Sequence, residues 1–234
     1  MKRNRVVFLL SVLAIGLGQA WSWAEQPARR PVKIDDFAHL KSVGDPQLSP
    51  DGKWVAYTVG TVDLEKDKRD TDLWMVSWDG GEEIRLTSSP DGESRPRWSP
   101  DNRYLAFLAS RGDEEQKKKG GQVWLLDRRG GEAQQLTDIK GGVSDYAWSP
   151  DGKKLALVVN DPDPDDEPEK KEGWKRKTKP PIVIDRYHFK QDRQGYLGNL
   201  HEHLRVFDLE KRKGEAITSG PYDDRSPAWS PDGR

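Results

Sequence analysis

The chain has 234 residues, with 39 lysines and arginines against 40 aspartates and glutamates, 34% charged and 33% hydrophobic residues. That balance offers no basic surface for nucleic acid, and a chain so polar can build a core only if its apolar residues are patterned. Cysteine is absent, which excludes disulfides, thiolate catalysis and cysteine-based metal sites.

Met1-Lys2-Arg3-Asn4-Arg5 is a basic start, residues 6–18 are an apolar run, and Ser22-Trp23-Ala24 is a small-x-small cleavage site. Residues 1–24 therefore read as a signal peptide and the protein as exported, periplasmic or secreted. The alternative is an uncleaved anchor, for which the run is short against a bilayer. After cleavage no stable membrane span is expected. Losing Lys2, Arg3 and Arg5 takes the 39 basic residues to 36 against 40 acidic, a charge of −4, so nucleic acid is again no expected partner.

From Leu48 onward the chain repeats itself. Leu48-Ser49-Pro50-Asp51-Gly52 is followed by Trp98-Ser99-Pro100-Asp101-Asn102, Trp148-Ser149-Pro150-Asp151-Gly152 and Trp229-Ser230-Pro231-Asp232-Gly233. The first three serines are 50 residues apart and the last follows after 81. A period of roughly 40 to 50 residues built from short strands is the mark of a β-propeller blade. Serine, proline and glycine suit successive positions of a tight turn, and Asn102 is the residue next best able to take glycine's positive φ.

After each turn comes a short apolar strand, around Val55-Ala56-Tyr57, Leu105-Ala106-Phe107 and Leu155-Ala156-Leu157. The repeated alanine predicts close approach by a neighbouring blade. Hairpins follow, with Leu73–Val76 turning at Asp79-Gly80-Gly81 into Ile84–Thr87, and Val123–Leu126 turning at Gly130-Gly131 into Gln135–Thr137. A third copy runs from Leu204 to Phe207 and from Ala216 to Thr218. With the strand before each Ser-Pro-Asp turn, every unit has four strands. The fold class is thus all-β, a partial propeller of four-stranded antiparallel blades over residues 25–234, about three blades and the start of a fourth. Closed propellers usually need roughly four to eight blades, so a fragment of a longer product is expected.

The third unit is longer than the others by 31 residues, and the excess, at about 161–200, lies between Asn160 and Leu204. Its first part is acidic and proline-rich and then basic, an expected exposed loop. The second part holds Pro181-Ile182-Val183-Ile184 and then Arg186-Tyr187-His188-Phe189-Lys190-Gln191-Asp192-Arg193-Gln194-Gly195-Tyr196-Leu197. Aromatic and charged side chains in a loop between blades suggest a cap over the channel or contact with another domain.

With the Ser-Pro-Asp-Gly blades, that segment resembles the propeller of acylaminoacyl-peptidase-like and dipeptidyl-peptidase-like members of the prolyl oligopeptidase family. The resemblance implies an N-terminal propeller that sits over a C-terminal α/β-hydrolase domain, here absent from the chain, and restricts access to short peptides. It places Arg186, Tyr187, Phe189, Asp192 and Tyr196 near the channel mouth or the interdomain interface. Peptide substrates and the missing hydrolase domain are the implied partners.

A serine peptidase of this kind needs Gly-x-Ser-x-Gly and later aspartate and histidine. The nearest approach, Gly142-Val143-Ser144-Asp145-Tyr146, lacks the second glycine, so no catalytic residue is expected in this chain and no activity from it alone. No cofactor is expected. His201-Glu202-His203 puts two imidazoles on one face of a strand, but the sequence supplies no third ligand, and an exposed start to a strand explains it more simply. The four turn aspartates are explained by local hydrogen bonding, and the repeated tryptophans by packing. The rival to the peptidase is a non-catalytic exported propeller, similar to TolB, that binds a partner protein.

Overall fold

The computed structural model describes residues 30–162, 181–184, 187–192, 195–198 and 200–233. The leader, Arg186 and the bulk of the charged first part of the insertion lie outside the described residues. β1 (Ser42–Leu48), β2 (Trp54–Asp63), β3 (Lys68–Ser77) and β4 (Glu83–Arg85) form one antiparallel meander. β5 (Glu93–Trp98), β6 (Tyr104–Ala109), β7 (Gln122–Asp127) and β8 (Gln134–Gln135) form the second. β9 (Val143–Trp148) and β10 (Lys154–Asn160) open the third. It is completed, beyond a hairpin of β11 (Lys190–Gln191) and β12 (Gly195–Tyr196), by β13 (Glu202–Asp208) and β14 (Lys213–Ala216). These are the three blades, each with its Ser-Pro-Asp turn between first and second strands.

The turns are built alike. Each serine hydroxyl donates to the aspartate two residues on, at 2.6 Å for Ser49, 2.5 Å for Ser99, 2.6 Å for Ser149 and 2.5 Å for Ser230. In the first three turns the same hydroxyl also accepts from the amide that begins the next strand, at 2.9, 2.8 and 2.9 Å. Gly52, Asn102, Gly152 and Gly233 all hold positive φ, between 60° and 74°. The turns stack, because a Cβ on Gly152 would meet Pro100 at 3.5 Å, and one on Gly233 would meet Pro150 at 3.8 Å.

Two apolar clusters fill the joints between blades. Ala56 and Leu73 of the first blade pack with Trp98, Leu105 and Phe107 of the second. Ala106 and Val123 of the second pack with Val143, Tyr146, Leu155 and Leu157 of the third. Ala56 and Ala106 are fully buried because a neighbouring blade closes on each, whereas Ala156, on the forward side of the third blade, is only half-buried. Indole donors bridge the same joints, and Trp229 reaches back to the third blade, donating to the Ala147 carbonyl at 3.0 Å. The fourth unit is therefore already seated on its predecessor.

Among the described residues, two helical elements accompany the strands. A 3-10 helix spans Ile34–His39, and α1 (Glu114–Lys118) sits between β6 and β7, capped by Asp113, whose carboxylate accepts from the Gln116 amide at 2.8 Å.

Candidate functional site

β5 packs against β1, β2 and β3, and β9 against β5 and β6, so the first strand of each blade lies innermost, where the wedges converge. Each inner strand carries a bulge. Register slips between Gly44 and Gln47 in β1 and between Ser94 and Arg97 in β5. Pro46 and Pro96 have no N–H for a ladder, and the residue before each is kept out of the right-handed helical region. Asp45 and Arg95 take φ of 46° and 53°, as Ser226 does at 56° before Pro227 in the fourth unit, and not the extended conformation that a following proline favours.

The third blade has Tyr146 at the proline position. Its hydroxyl donates to the Arg95 carbonyl across the joint at 2.8 Å, and burial holds its own ionisation far above the ordinary tyrosine range.

These bulges build an alternating charge ladder on the inner strands. Arg97 of the second blade meets Asp45 of the first at 2.9 Å, and Arg95 meets Asp145 of the third at 3.2 Å. Beside it runs a groove of about 390 Å³, lined among others by Gln47, Arg97, Trp98, Asp145, Trp148 and Ser226. The sequence reading did not find this ladder, since its partners stand about 50 residues apart; its signal is the charged residue repeated around each inner-strand bulge.

The insertion hairpin brings together some of the aromatic residues singled out in the sequence. Phe189 and Tyr196 stack with centroids 6.3 Å apart at 24°, and the Lys190 ammonium lies 5.6 Å from the Tyr196 ring centroid. The Leu197 amide donates to the Phe189 carbonyl at 2.8 Å, extending the pairing of β11 with β12. Asp192 is exposed in the connecting turn, Tyr187 is wholly exposed, and Ile182, Val183 and Ile184 present apolar side chains to solvent. Arg186 lies outside the described residues.

His201 and His203 differ from the sequence expectation of an exposed strand start, for their side chains are only 19% and 13% exposed. Asp161, directly after β10, and Asp223 and Asp224 from the link to the fourth unit close over them. Among the described residues no group of three or more suitable donors is arranged to hold a metal ion. Among the described residues, too, no helix is long and apolar enough to cross a membrane.

No protein-family model matches the chain. Over 77 residues, 28% of this chain and 12% of the relative, it is 35% identical to an uncharacterized peptidase, YuxL, of Bacillus subtilis. Among solved structures, the acylaminoacyl peptidase of Pyrococcus horikoshii matches 78% of this chain with 25% of its own length, at 21% identity and a TM-score of 0.55. The AtxE2 isopeptidase with astexin3-dC4 bound matches 81% of this chain with 32% of its own, at 20% identity and a TM-score of 0.53.

The chain is a β-propeller segment of four-stranded antiparallel blades. The three proteins just named are peptidases, TolB structures from Agrobacterium tumefaciens and Acinetobacter baumannii match the chain as well, and the chain spans about a quarter of the acylaminoacyl peptidase.

Proposed function

We propose that the chain is the N-terminal propeller part of an exported serine peptidase of the prolyl oligopeptidase family, of the acylaminoacyl-peptidase or dipeptidyl-peptidase type. One observation carries the reading: 77 residues of the chain are 35% identical to a peptidase, and the propeller fold is compatible with it. In this account the catalytic serine, aspartate and histidine belong to a C-terminal α/β-hydrolase domain, where the serine takes the acyl half as the C–N bond breaks, the amine half leaves with a proton from the histidine, and water then releases the acid. The propeller binds no cofactor and makes no bond. Its work is to select by size and shape what reaches the serine.

Within that division of labour the insertion hairpin is the interdomain or channel-mouth element. Tyr187, Phe189 and Tyr196 offer flat, apolar faces on a short paired scaffold, with Lys190 and Asp192 beside them, the mix of aromatic and charged groups that suits contact with a peptide or a second domain. The ladder of Asp45, Arg97, Arg95 and Asp145 lines the inner strands and gives the passage a polar wall.

The test is enzymatic and uses the complete gene product. It should hydrolyse short chromogenic peptides, lose that activity to a serine-directed phosphonate, and fractionate with the cell envelope or medium. Replacing both Phe189 and Tyr196 by alanine should change the ratio of rates on long and short peptides by more than it changes the rate on the shortest. A product that binds an envelope protein but turns over no peptide would instead support the TolB-like reading.

A further inference from the structure

We propose that His203, together with His201, is a proton-operated latch that fastens the root of the insertion to the segment leading into the fourth unit. This goes beyond the peptidase reading and does not depend on it. His203 Nε2 faces Asp161 Oδ1 at 3.6 Å, and its Nδ1 faces Asp224 Oδ2 at 3.6 Å. Nδ1 is buried without a hydrogen-bond partner.

A neutral imidazole carries one N–H and one lone pair, and an ionised carboxylate can only accept. A ring with carboxylates before both nitrogens is therefore matched by the imidazolium alone. His201 sits beside it, ring centroids 6.4 Å apart, with its Nδ1 3.0 Å from Asp223 Oδ1.

The charged groups around the pair come from three directions. Asp161 follows β10 directly, Glu202 opens β13 between the two histidines, and Asp223, Asp224 and Arg225 belong to the link. Arg225 pairs with Glu202 and, at 3.1 Å, with Asp223, so acids outnumber the cation. Asp223 stays below the ordinary carboxylate range: burial works against its charge, but bonds from His201 and the Glu202 amide and the nearby Arg225 prevail.

The backbone is tied at the same place. The Asp161 amide donates to the His201 carbonyl at 2.8 Å, the His201 amide to Asp161 Oδ2 at 3.0 Å, and the Asp224 amide to the Glu202 carbonyl at 2.7 Å. Loss of the His203 proton removes a donor and a positive charge at once. One carboxylate then faces a lone pair, and the link from Thr218 to Arg225 is held less tightly against β13.

Amide hydrogen exchange on the full chain tests this. After correction for intrinsic rates, protection of residues 217–226 should be about threefold or more greater in mild acid than in mild alkali. His203→Gln, which keeps a polar side chain without the charge, should abolish that difference. Asp224→Asn, should the histidine variant fail to fold, should shrink the difference, lowering protection at the acid end by removing a charge and raising it at the alkaline end, where the amide can donate to the lone pair. Equal protection of the unaltered chain at both pH values would overturn the latch, as would a pH dependence that survives Asp224→Asn intact.

Discussion

The indole N–H of Trp98 donates to the backbone carbonyl of Gln47 in the preceding blade, at 3.0 Å. The bond recurs from Trp148 to the Arg97 carbonyl at 3.4 Å and from Trp229 to the Ala147 carbonyl at 3.0 Å. One residue type at one repeat position thus latches each blade to the one before it. Leu48 stands at that position in the first unit, is 54% exposed and has no side-chain N–H to offer.

Trp98→Phe should keep much of the packing and lose the donor, costing about 1 kcal/mol, the usual net worth of such a bond. Trp98→Ala should cost about 3 to 5 kcal/mol, since the indole is also part of the cluster between the first two blades. Trp148→Phe should cost less than Trp98→Phe because its bond is longer. Chemical denaturation monitored by circular dichroism measures all three.

Asn102 joins two blades as well as closing a turn, because its side-chain oxygen accepts from the Asp51 amide at 3.2 Å. Asn102→Gly should be nearly neutral, as easier positive φ offsets the lost bond. Asn102→Ala loses the bond and strains the turn, and should destabilise by about 1 to 2 kcal/mol. Thermal melts of the two variants side by side separate these effects.

The joint between the first two blades contains a buried carboxylate, Glu93, whose side chain is wholly buried. It accepts from the Thr87 hydroxyl at 2.6 Å and is paired with Arg111, whose guanidinium lies over Phe107 and Trp124. Burial, against the help of Thr87 and Arg111, pushes its ionisation above the usual range, and burial does the same to Asp72 nearby. The native state therefore keeps these protons to higher pH than the unfolded chain does. Their stabilising contribution is present below the ordinary carboxylate range and is lost as pH rises through the shifted values. Arg111→Ala, which strands the Glu93 charge, should cost about 3 kcal/mol or more at neutral pH and less in mild acid. Glu93→Gln should flatten this part of the stability profile, read from urea midpoints across pH.

The turn aspartates work in the opposite sense. Serine hydroxyls and strand amides hold Asp51, Asp101 and Asp151 below the ordinary range. Their contribution is fully present above that range and is lost as pH falls below it through the depressed values. A Ser49→Ala, Ser99→Ala, Ser149→Ala triple variant should denature at lower temperature near neutral pH, and the deficit should shrink on acidification, as calorimetry would register.

Much of the fold was legible because it is local. A Ser-Pro-Asp-Gly turn and a paired-glycine hairpin state their conformation within a few residues, and fifty-residue spacing then orders them into blades. What joins blades was less legible. Nothing near Arg97 in sequence announces Asp45, Tyr146 gives no sign that its hydroxyl will reach Arg95, and Asn102 looks like a plain substitute for glycine. His201 and His203 looked like an exposed strand start because the acids that cover them come from Asp161 and Asp223-Asp224, on the far sides of an insertion and a hairpin. The aromatic segment was visible as composition, and the stacking of Phe189 on Tyr196 follows from a turn too short to predict.

The measurement that bears most directly on the peptidase account is the sequence of the transcript beyond the codon for Arg234. The account predicts further four-stranded repeats and then several hundred residues containing Gly-x-Ser-x-Gly, with aspartate and histidine after it. A reading frame that closes after enough blades to complete a ring, with no such elbow, would contradict it.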